Sequence, residues 1–184
     1  MTSFESRRLK IPDIILIKRN GHRDKRGYTT RIYDRSEYKS AGIGEEFVED
    51  LLSYSVRNVL RGLHYQEPPK AQSKLVAVLQ GKIFDVAVDI RKRSKNYGQW
   101  AGVTLSSENQ TLIYIPKGFA HGYCVLSRGA TIMYKLSEEY DPSLDRGIAW
   151  NDPRIGIKWP VDSPIISQKD ASWPPLRDSG VRDR

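Results

Sequence analysis

The second half of the chain alternates between apolar and polar residues with a period of two. The clearest stretch is KLVAVLQGKIFDVAVDI (74–90), in which two β-rich runs flank a Gln-Gly pair. In the second run, the even positions from Phe84 to Ile90 are apolar and share one face, and Asp85 and Asp89 fall on the other. This pattern predicts two strands joined by a hairpin turn at the Gln-Gly pair.

More strand-like runs follow, separated by turn-forming residues. They are GQWAGVTL (98–105), TLIYI (111–115), GYCVL (122–126) and ATIMYKL (130–136). Short strands with frequent turns are typical of an all-β antiparallel sandwich or barrel.

Helical signal is confined to two short segments, at 34–42 and 167–173. The 184 residues suit one domain, and we find no internal repeat or interdomain linker. We therefore predict a single domain over 1–184, with a loose C-terminal tail at 178–184.

The composition adds a formal charge of +8, which is compatible with nucleic acid or with a small anionic substrate as partner. The basic clusters at 18–26 and 91–98 contain glycine and lie between strand-like segments, so they are interpreted as loops. Because zinc-finger spacing and basic–aromatic interleaving are lacking, a small anion is favoured over DNA or RNA.

Nothing in the chain predicts a membrane association. We find no apolar run long enough to span a bilayer, and the N-terminus lacks the apolar stretch of a signal peptide. The single cysteine, Cys124, excludes an internal disulfide and suits a reducing cytoplasm. We expect a cytoplasmic protein.

The histidines do not favour a metal site. Barrel-type metal enzymes often pair two closely spaced histidines with a carboxylate and a distant third histidine. Here His64 is followed by Tyr65 and Gln66, His22 lies among arginines and lysines, and His121 is isolated. We therefore expect no protein-bound metal.

Acid–base chemistry suits His64 better, provided that another group fixes its tautomer. The candidate carboxylates are Asp85, Asp89 and Asp170, and the sequence alone does not choose among them. Lys74 and Tyr134 are further candidates, although composition alone favours the simpler interpretations of an exposed strand-end lysine and a packed strand tyrosine.

Arg61 and His64 lie three residues apart, so a flat strand would place them on opposite faces. Gly62 lies between them. If both side chains enter one pocket, the strand has to bulge or twist there, which glycine permits.

Seven segments together resemble one family, the dTDP-4-dehydrorhamnose 3,5-epimerases, over residues 12–177. They are NVLRGLHYQ, KLVAVLQGKIFDVAVDIRKRS, YGQWAGVTLSSEN, IPKGFAHGY, YKLSEEYDP, WNDPRIGIKWP and SQKD. The resemblance implies a cupin-type antiparallel β-jelly-roll with a few short peripheral helices. It further implies a metal-free, cofactor-free enzyme that forms homodimers with strand exchange and converts dTDP-4-dehydro-6-deoxyglucose to dTDP-4-dehydro-L-rhamnose.

The resemblance also implies roles for the candidate residues. His64 would be the base and Asp170 its partner, Tyr134 the acid on the opposite face, and Lys74 a positive charge near the enolate oxygen. The positions matching family contacts to the substrate are Arg26, Glu49, Arg61, Lys74, His121, Tyr140, Asp145 and Lys169. Among these, Tyr140 would stack on the thymine ring.

The sequence departs from the family pattern at four positions. Glu49 replaces glutamine, Leu51 replaces asparagine, Arg31 stands where the family has glutamate, and Asp145 also replaces glutamate. The first and third changes suggest a charge swap that keeps a Glu49–Arg31 contact; the alternative is a changed nucleotide or sugar preference. Three other functions stay open: a single-carbon epimerase, a non-catalytic sugar-nucleotide-binding cupin and a metal-dependent cupin.

Overall fold

The computed structural model describes residues 4–176, which form antiparallel β-sheets with two short helices. In chain order the elements are β1 (Phe4–Arg8), β2 (Ile15–Arg19), β3 (His22–Asp24), β4 (Gly27–Thr29), α1 (Arg35–Ser40), β5 (Glu49–Val56), β6 (Leu60–Gln66), β7 (Lys74–Gln80), β8 (Lys82–Asp89), β9 (Trp100–Ser106), β10 (Thr111–Ile115), β11 (Phe119–Val125), β12 (Gly129–Leu136), β13 (Asp145–Gly147) and α2 (Gln168–Ala171). The predicted all-β class is confirmed. The predicted tail at 178–184 lies outside the described residues.

Two sheets make up the body of the fold. The larger has the spatial order β1-β2-β10-β7-β12-β5, and the smaller has the order β13-β6-β11-β8-β9. Strands β3 and β4 form a separate hairpin whose residues are all exposed. Across residues 4–176, no helix combines the length and apolar character needed to cross a bilayer.

The main core lies between the two sheets. It contains side chains of β7, β10 and β12 from the larger sheet and of β8, β9 and β11 from the smaller one. Alternation along β8 follows the predicted pattern: Ala87 packs in this core, whereas Val86 and Val88 pack on the opposite face. The predicted period of two is therefore confirmed for this strand.

Both sheets are also covered on their outer faces. Tyr38 of α1 packs against Ile17 and Leu112 on the larger sheet. Ile148, Ile155 and other residues of the C-terminal segment cover the smaller sheet. Burial of β-sheet faces on both sides explains why strands such as β11 are apolar almost throughout.

The predicted hairpin at the Gln-Gly pair is wrong. β7 bonds to β10 and β12, whereas β8 bonds to β9 and β11, so the two consecutive strands belong to different sheets. Gly81 is the corner at which the chain crosses between them, with φ of +84°. A Cβ here would lie 2.2 Å from the carbonyl oxygen of Gly129. The Gln-Gly pair marks a crossover because the chain needs a left-handed residue without a side chain at this corner.

The other predicted elements are found close to their expected bounds. The strands β9, β10 and β12 and both helices match, and Asp34 and Ser167 cap the helices by accepting backbone N–H bonds. β11 begins three residues before the predicted strand, so His121 lies in a strand and not in a turn.

The corner at Gly81 generates a stability prediction. Gly81→Ala should lower the free energy of unfolding by roughly 2–4 kcal/mol, because the left-handed conformation is unfavourable for alanine and the added methyl group overlaps the Gly129 carbonyl. Urea unfolding followed by circular dichroism measures the loss. The matched control is Gly44→Ala, where an added Cβ meets nothing within 4 Å. Equal stability of the two variants would contradict the prediction.

Candidate active site

A cavity of about 440 Å³ lies between the sheets, with walls from both of them. Strands β6 and β11 of the smaller sheet face β5, β7 and β12 of the larger one across it. The sequence-predicted residues that line it are Glu49, Arg61, His64, Lys74, His121, Tyr134, Tyr140 and Asp145. The fold therefore brings together residues that lie almost one hundred positions apart in the chain.

A β-bulge at Gly62 brings Arg61 and His64 to the same cavity. Between the pairs that these two residues form with β11, β6 advances three residues and β11 only two. Gly62 has φ of +134°, and a Cβ there would lie 2.6 Å from the Cα of Gly122. The predicted bulge is confirmed, and it depends on two facing glycines.

His64 is paired with Asp170, one of the three carboxylates that the sequence left open. The imidazole Nε2 lies 2.8 Å from Oδ1 of Asp170, and the backbone N–H of Gly62 donates to Oδ2 over 3.1 Å. Asp170 belongs to α2, whose cap Ser167 accepts the Asp170 N–H. Both carboxylate oxygens are thus engaged, which holds the carboxylate in place beside the imidazole.

The carboxyl of Asp170 is held in its ionised form. Burial raises its pKa, but the bond and charge of His64 and the N–H of Gly62 outweigh burial, so the pKa lies below its ordinary value. An ionised carboxylate only accepts hydrogen bonds, so Nε2 of a neutral His64 carries its proton. The Nδ1 lone pair is then left free to accept a proton.

Tyr134 faces the cavity from the other sheet. It lies on β12, is only 8% exposed, and contacts the His121 ring edge-on with centroids 6.0 Å apart. Burial raises the pKa of its phenol well above the usual value, and the nearby Tyr123 and Asp85 add to this. Tyr134 therefore keeps its proton at neutral pH and is a hydrogen-bond donor and acid.

Lys74 supplies positive charge to the same space. It opens β7 and is partly buried, which contradicts the simpler interpretation of an exposed strand-end charge. Burial lowers the pKa of its ammonium to about 8, against the opposing attraction of Asp145 and Asp85. The group is still largely protonated at pH 7, but it is much closer to titration than an ordinary lysine.

A second His–Asp pair lies deeper in the fold. Nε2 of His121 is 2.9 Å from Oδ2 of Asp85, and both side chains are buried. Oδ1 of Asp85 has no hydrogen-bond partner within residues 4–176. The buried carboxylate raises the pKa of Tyr134 and favours the charged form of Lys74.

The residues that hold Arg61 were not predicted from the sequence. Nε of Arg61 donates to Oγ of Ser55 over 3.0 Å, and Ser55 lies 3.1 Å from the Tyr123 hydroxyl. Ser53 and Ser55 alternate along β5 with exposed apolar residues. This alternation could have indicated a strand, but here the serines face inward and the apolar residues are exposed, which reverses the usual pattern.

The rim of the cavity is polar. The Tyr140 hydroxyl donates to Oδ2 of Asp145 over 3.1 Å, and Lys169 donates to the same oxygen. Lys169 does not line the cavity itself, but the bond to Asp145 raises its pKa and keeps it charged beside the rim. Tyr140 is 53% exposed, so one ring face is available to a ligand.

Two predicted features of the site are not found within this chain: Arg26 does not line the cavity, and Glu49 does not pair with Arg31. Arg26 lies in the exposed β3–β4 hairpin, pairs with Asp24, and borders a separate depression. Arg31 forms its ion pair with Asp34 at 3.7 Å, whereas Glu49 accepts the backbone N–H of Tyr140 over 2.8 Å. The suggested Glu49–Arg31 charge swap is therefore not an intrachain contact.

Within residues 4–176, no three side chains of His, Cys, Asp or Glu lie close enough to share a metal ion. His64 and His121 are cross-strand neighbours, but each is bonded through Nε2 to its own aspartate. The described donors thus form two separate pairs.

One cavity of the β-sandwich is bordered by a histidine that is paired with an aspartate, by a protonated tyrosine and by a lysine. This arrangement defines the class of the protein, an acid–base enzyme with a cupin-type jelly-roll fold. The family model described as dTDP-4-dehydrorhamnose 3,5-epimerase matches residues 8–178. The chain belongs to this family, as the sequence resemblance indicated.

Similar proteins support the assignment. The dTDP-4-dehydrorhamnose 3,5-epimerase of Methanothermobacter thermautotrophicus is 47% identical over 184 residues, covering 98% of this chain and 99% of the relative. A crystal structure of the epimerase from Legionella pneumophila, in complex with dTDP-4-keto-L-rhamnose, has a TM-score of 0.92 at 41% identity. The match covers 95% of this chain and 93% of the Legionella pneumophila chain.

A more distant structure has a different specificity. A 3'-monoepimerase from Streptomyces bikiniensis, in complex with dTDP-quinovose, is 30% identical with a TM-score of 0.86. The match covers 92% of this chain and 87% of that chain. The same fold therefore occurs in enzymes described as acting at one position.

The His64–Asp170 geometry predicts one tautomer. Nitrogen-15 spectra of histidine-labelled protein should show the neutral imidazole of His64 protonated at Nε2, because ionised Asp170 only accepts a hydrogen bond. Asp170→Asn should remove this preference, since an amide can donate as well as accept. A neutral His64 with its proton on Nδ1 in the wild-type protein would be incompatible with the pairing described.

Proposed function

We propose that this chain epimerises carbons 3 and 5 of dTDP-4-dehydro-6-deoxy-D-glucose to give dTDP-4-dehydro-L-rhamnose, in dTDP-L-rhamnose biosynthesis. The observation that carries this proposal is the placement of His64 and Tyr134 on different sheets that face one cavity. Inversion at carbon requires proton removal on one face and proton return on the other. A base and an acid on opposite walls meet this requirement.

The base in this mechanism is His64. The substrate ketone at carbon 4 acidifies the hydrogens on carbons 3 and 5, so a base of moderate strength suffices. Asp170 holds the Nε2 proton, which leaves Nδ1 to take the substrate proton and stabilises the imidazolium that results. His64 removes a proton, the carbon 4 oxygen takes up the charge, and an enolate forms.

Tyr134 is the proposed acid. Its raised pKa keeps the phenol protonated until the enolate is present, so it can deliver a proton to the face opposite His64. Lys74, still largely charged at neutral pH, is proposed to stabilise the enolate oxygen. One such electrostatic interaction is typically worth about 2.7–4 kcal/mol in the transition state.

The nucleotide is proposed to lie toward the polar rim. Arg61, held by Ser55, would donate to the pyrophosphate with two N–H groups, and Lys169 would add charge at the edge. The exposed ring of Tyr140 would stack on thymine, with its hydroxyl fixed by Asp145. His121 and Glu49 complete the set of proposed substrate contacts.

The working unit is proposed to be a homodimer with strand exchange. β5 is the outermost strand of its sheet, and Leu52, Tyr54 and Val56 expose 48–61% of their surface on its outer face. Such an apolar edge is typical of an interface. The exposed β3–β4 hairpin would cross to the partner and carry Arg26 to the partner's cavity. Sedimentation equilibrium, which gives the mass directly, tests this assembly.

The reaction is proposed to occur in the cytoplasm without a metal or cofactor. The one cysteine, Cys124, is buried and unpaired, as suits a reducing compartment. The described acid–base groups suffice for deprotonation and reprotonation. Full activity in excess chelator would distinguish this enzyme from a metal-dependent cupin.

Replacing the base tests the function. In deuterated water, the wild-type protein should convert dTDP-4-dehydro-6-deoxyglucose with deuterium incorporated at carbons 3 and 5, as followed by NMR. His64→Asn should lower kcat about 10²–10⁴-fold, because general base catalysis is lost. Binding of dTDP by calorimetry should stay within about twofold, since the base does not hold the nucleotide.

Three outcomes would point elsewhere. Exchange at carbon 3 alone would identify a monoepimerase, the second candidate, which is favoured by the likeness to the Streptomyces bikiniensis enzyme. Binding of dTDP without any exchange in the wild type would indicate a non-catalytic cupin. Unchanged turnover in His64→Asn would exclude the proposed base.

The lowered pKa of Lys74 predicts a pH dependence. The ammonium is charged below its pKa, so its contribution is present at pH 7 and is lost as the pH rises through about 8. We expect kcat/KM to fall on this alkaline limb, and Lys74→Met to lower it about 10²–10³-fold at neutral pH. Lys74→Arg is the matched control, because a guanidinium stays charged and should remove the limb. A limb near pH 8 in Lys74→Arg would assign the titration to another group.

A further inference from the structure

One aromatic side chain contacts the proposed base from outside the cavity. The rings of Trp173 and His64 meet edge-on, with centroids 6.5 Å apart and planes at 73°. Trp173 does not line the cavity, whereas His64 does. It therefore touches the base without being placed to touch the substrate.

The fold leaves a specific space for this indole. Gly147 of β13 is the cross-strand neighbour of His64, and a Cβ at Gly147 would lie 2.4 Å from the Trp173 ring. On another side, the Lys169 ammonium lies 5.6 Å from the ring centre. The indole thus occupies the place that a side chain at position 147 would fill.

The segment that carries Trp173 is anchored at both ends. Before it, α2 is fixed through Asp170 to His64 and Gly62. After it, Pro174 accepts the backbone N–H of Ala149. The same short segment therefore holds the imidazole twice, by a hydrogen bond from Asp170 and by a ring contact from Trp173.

The contact has a cost. The indole Nε1–H is buried without a hydrogen-bond partner among residues 4–176. A buried unpaired donor is unfavourable, and an aliphatic side chain would fill space there without one. A tolerated cost beside the base suggests a role that a purely structural residue would not need.

We propose that Trp173 is a positioning residue: its indole, seated in the space left by Gly147, keeps the His64 imidazole in the orientation that Asp170 sets. Apart from its covalent bond to Cβ, the imidazole is held by a single hydrogen bond at Nε2, which still allows the ring to tilt. A second contact on the ring edge restricts that rotation and keeps Nδ1 directed at the cavity. This inference rests on the proposed base role of His64.

Two substitutions perturb the same contact independently. Trp173→Ala removes the indole, and Gly147→Ala displaces it. Each should lower kcat about tenfold to a hundredfold, the range expected from a misplaced reacting group, and leave KM and dTDP affinity within about twofold. The double variant should be no worse than either single variant, because both act on one ring.

The conservative variant and two controls separate positioning from a general loss of packing. Trp173→Phe should restore kcat to within about threefold of wild type, since the aromatic edge is kept. Gly44→Ala adds a Cβ in open space, and Trp100→Phe trims an indole that packs on Phe84 away from the cavity. Both controls should retain wild-type kcat.

The results discriminate clearly. Unchanged kcat in Trp173→Ala, a loss confined to KM or dTDP binding, or additive losses in the double variant would overturn the positioning role. If the wild-type protein has no turnover, the proposed function fails separately. The nitrogen-15 signals of His64 then decide: chemical shifts and linewidths identical in wild type and Trp173→Ala would overturn the inference, and broadened or doubled signals would support it.

Discussion

The close approach of β6 and β11 at Gly62 and Gly122 is the constraint on which the site depends. No Cβ fits at Gly62, and one at Gly122 would lie 2.8 Å from the Arg61 carbonyl oxygen. The bulge that results directs both Arg61 and His64 into the cavity and aims the Gly62 N–H at Asp170. Backbone geometry, more than side-chain packing, therefore aligns His64, the proposed base, with Asp170.

Burial organises the charges of the site into complementary roles. Asp170 stays ionised because hydrogen bonds outweigh burial, whereas Tyr134 stays protonated because burial prevails. Lys74 lies between these extremes, with its charge supported by Asp85 and Asp145. With His64 as the acceptor that Asp170 supports, the cavity offers an acceptor, a donor and a cation, the combination that suits the proposed proton transfer beside a carbonyl.

The sequence predicted strands such as β8 from their buried alternation but missed β2, β3 and β5; the last two lack a buried apolar face. It misplaced Gly81, since a tight turn and a sheet-to-sheet crossover need the same left-handed glycine. In the site, residue chemistry proposed His64, and the resemblance selected Asp170. Contacts that depend on three-dimensional proximity alone, such as Trp173 with Gly147, had no local pattern to reveal them.

The pairing of His64 with Asp170 joins positions 106 residues apart. A nascent chain still on the ribosome can assemble much of both sheets before Asp170 emerges, but its imidazole has no carboxylate partner. Because such a non-local contact forms late, the proposed competence for proton transfer depends on synthesis and docking of α2. Docking of α2 is therefore a separate step that follows assembly of the sheets and gives His64 its carboxylate partner.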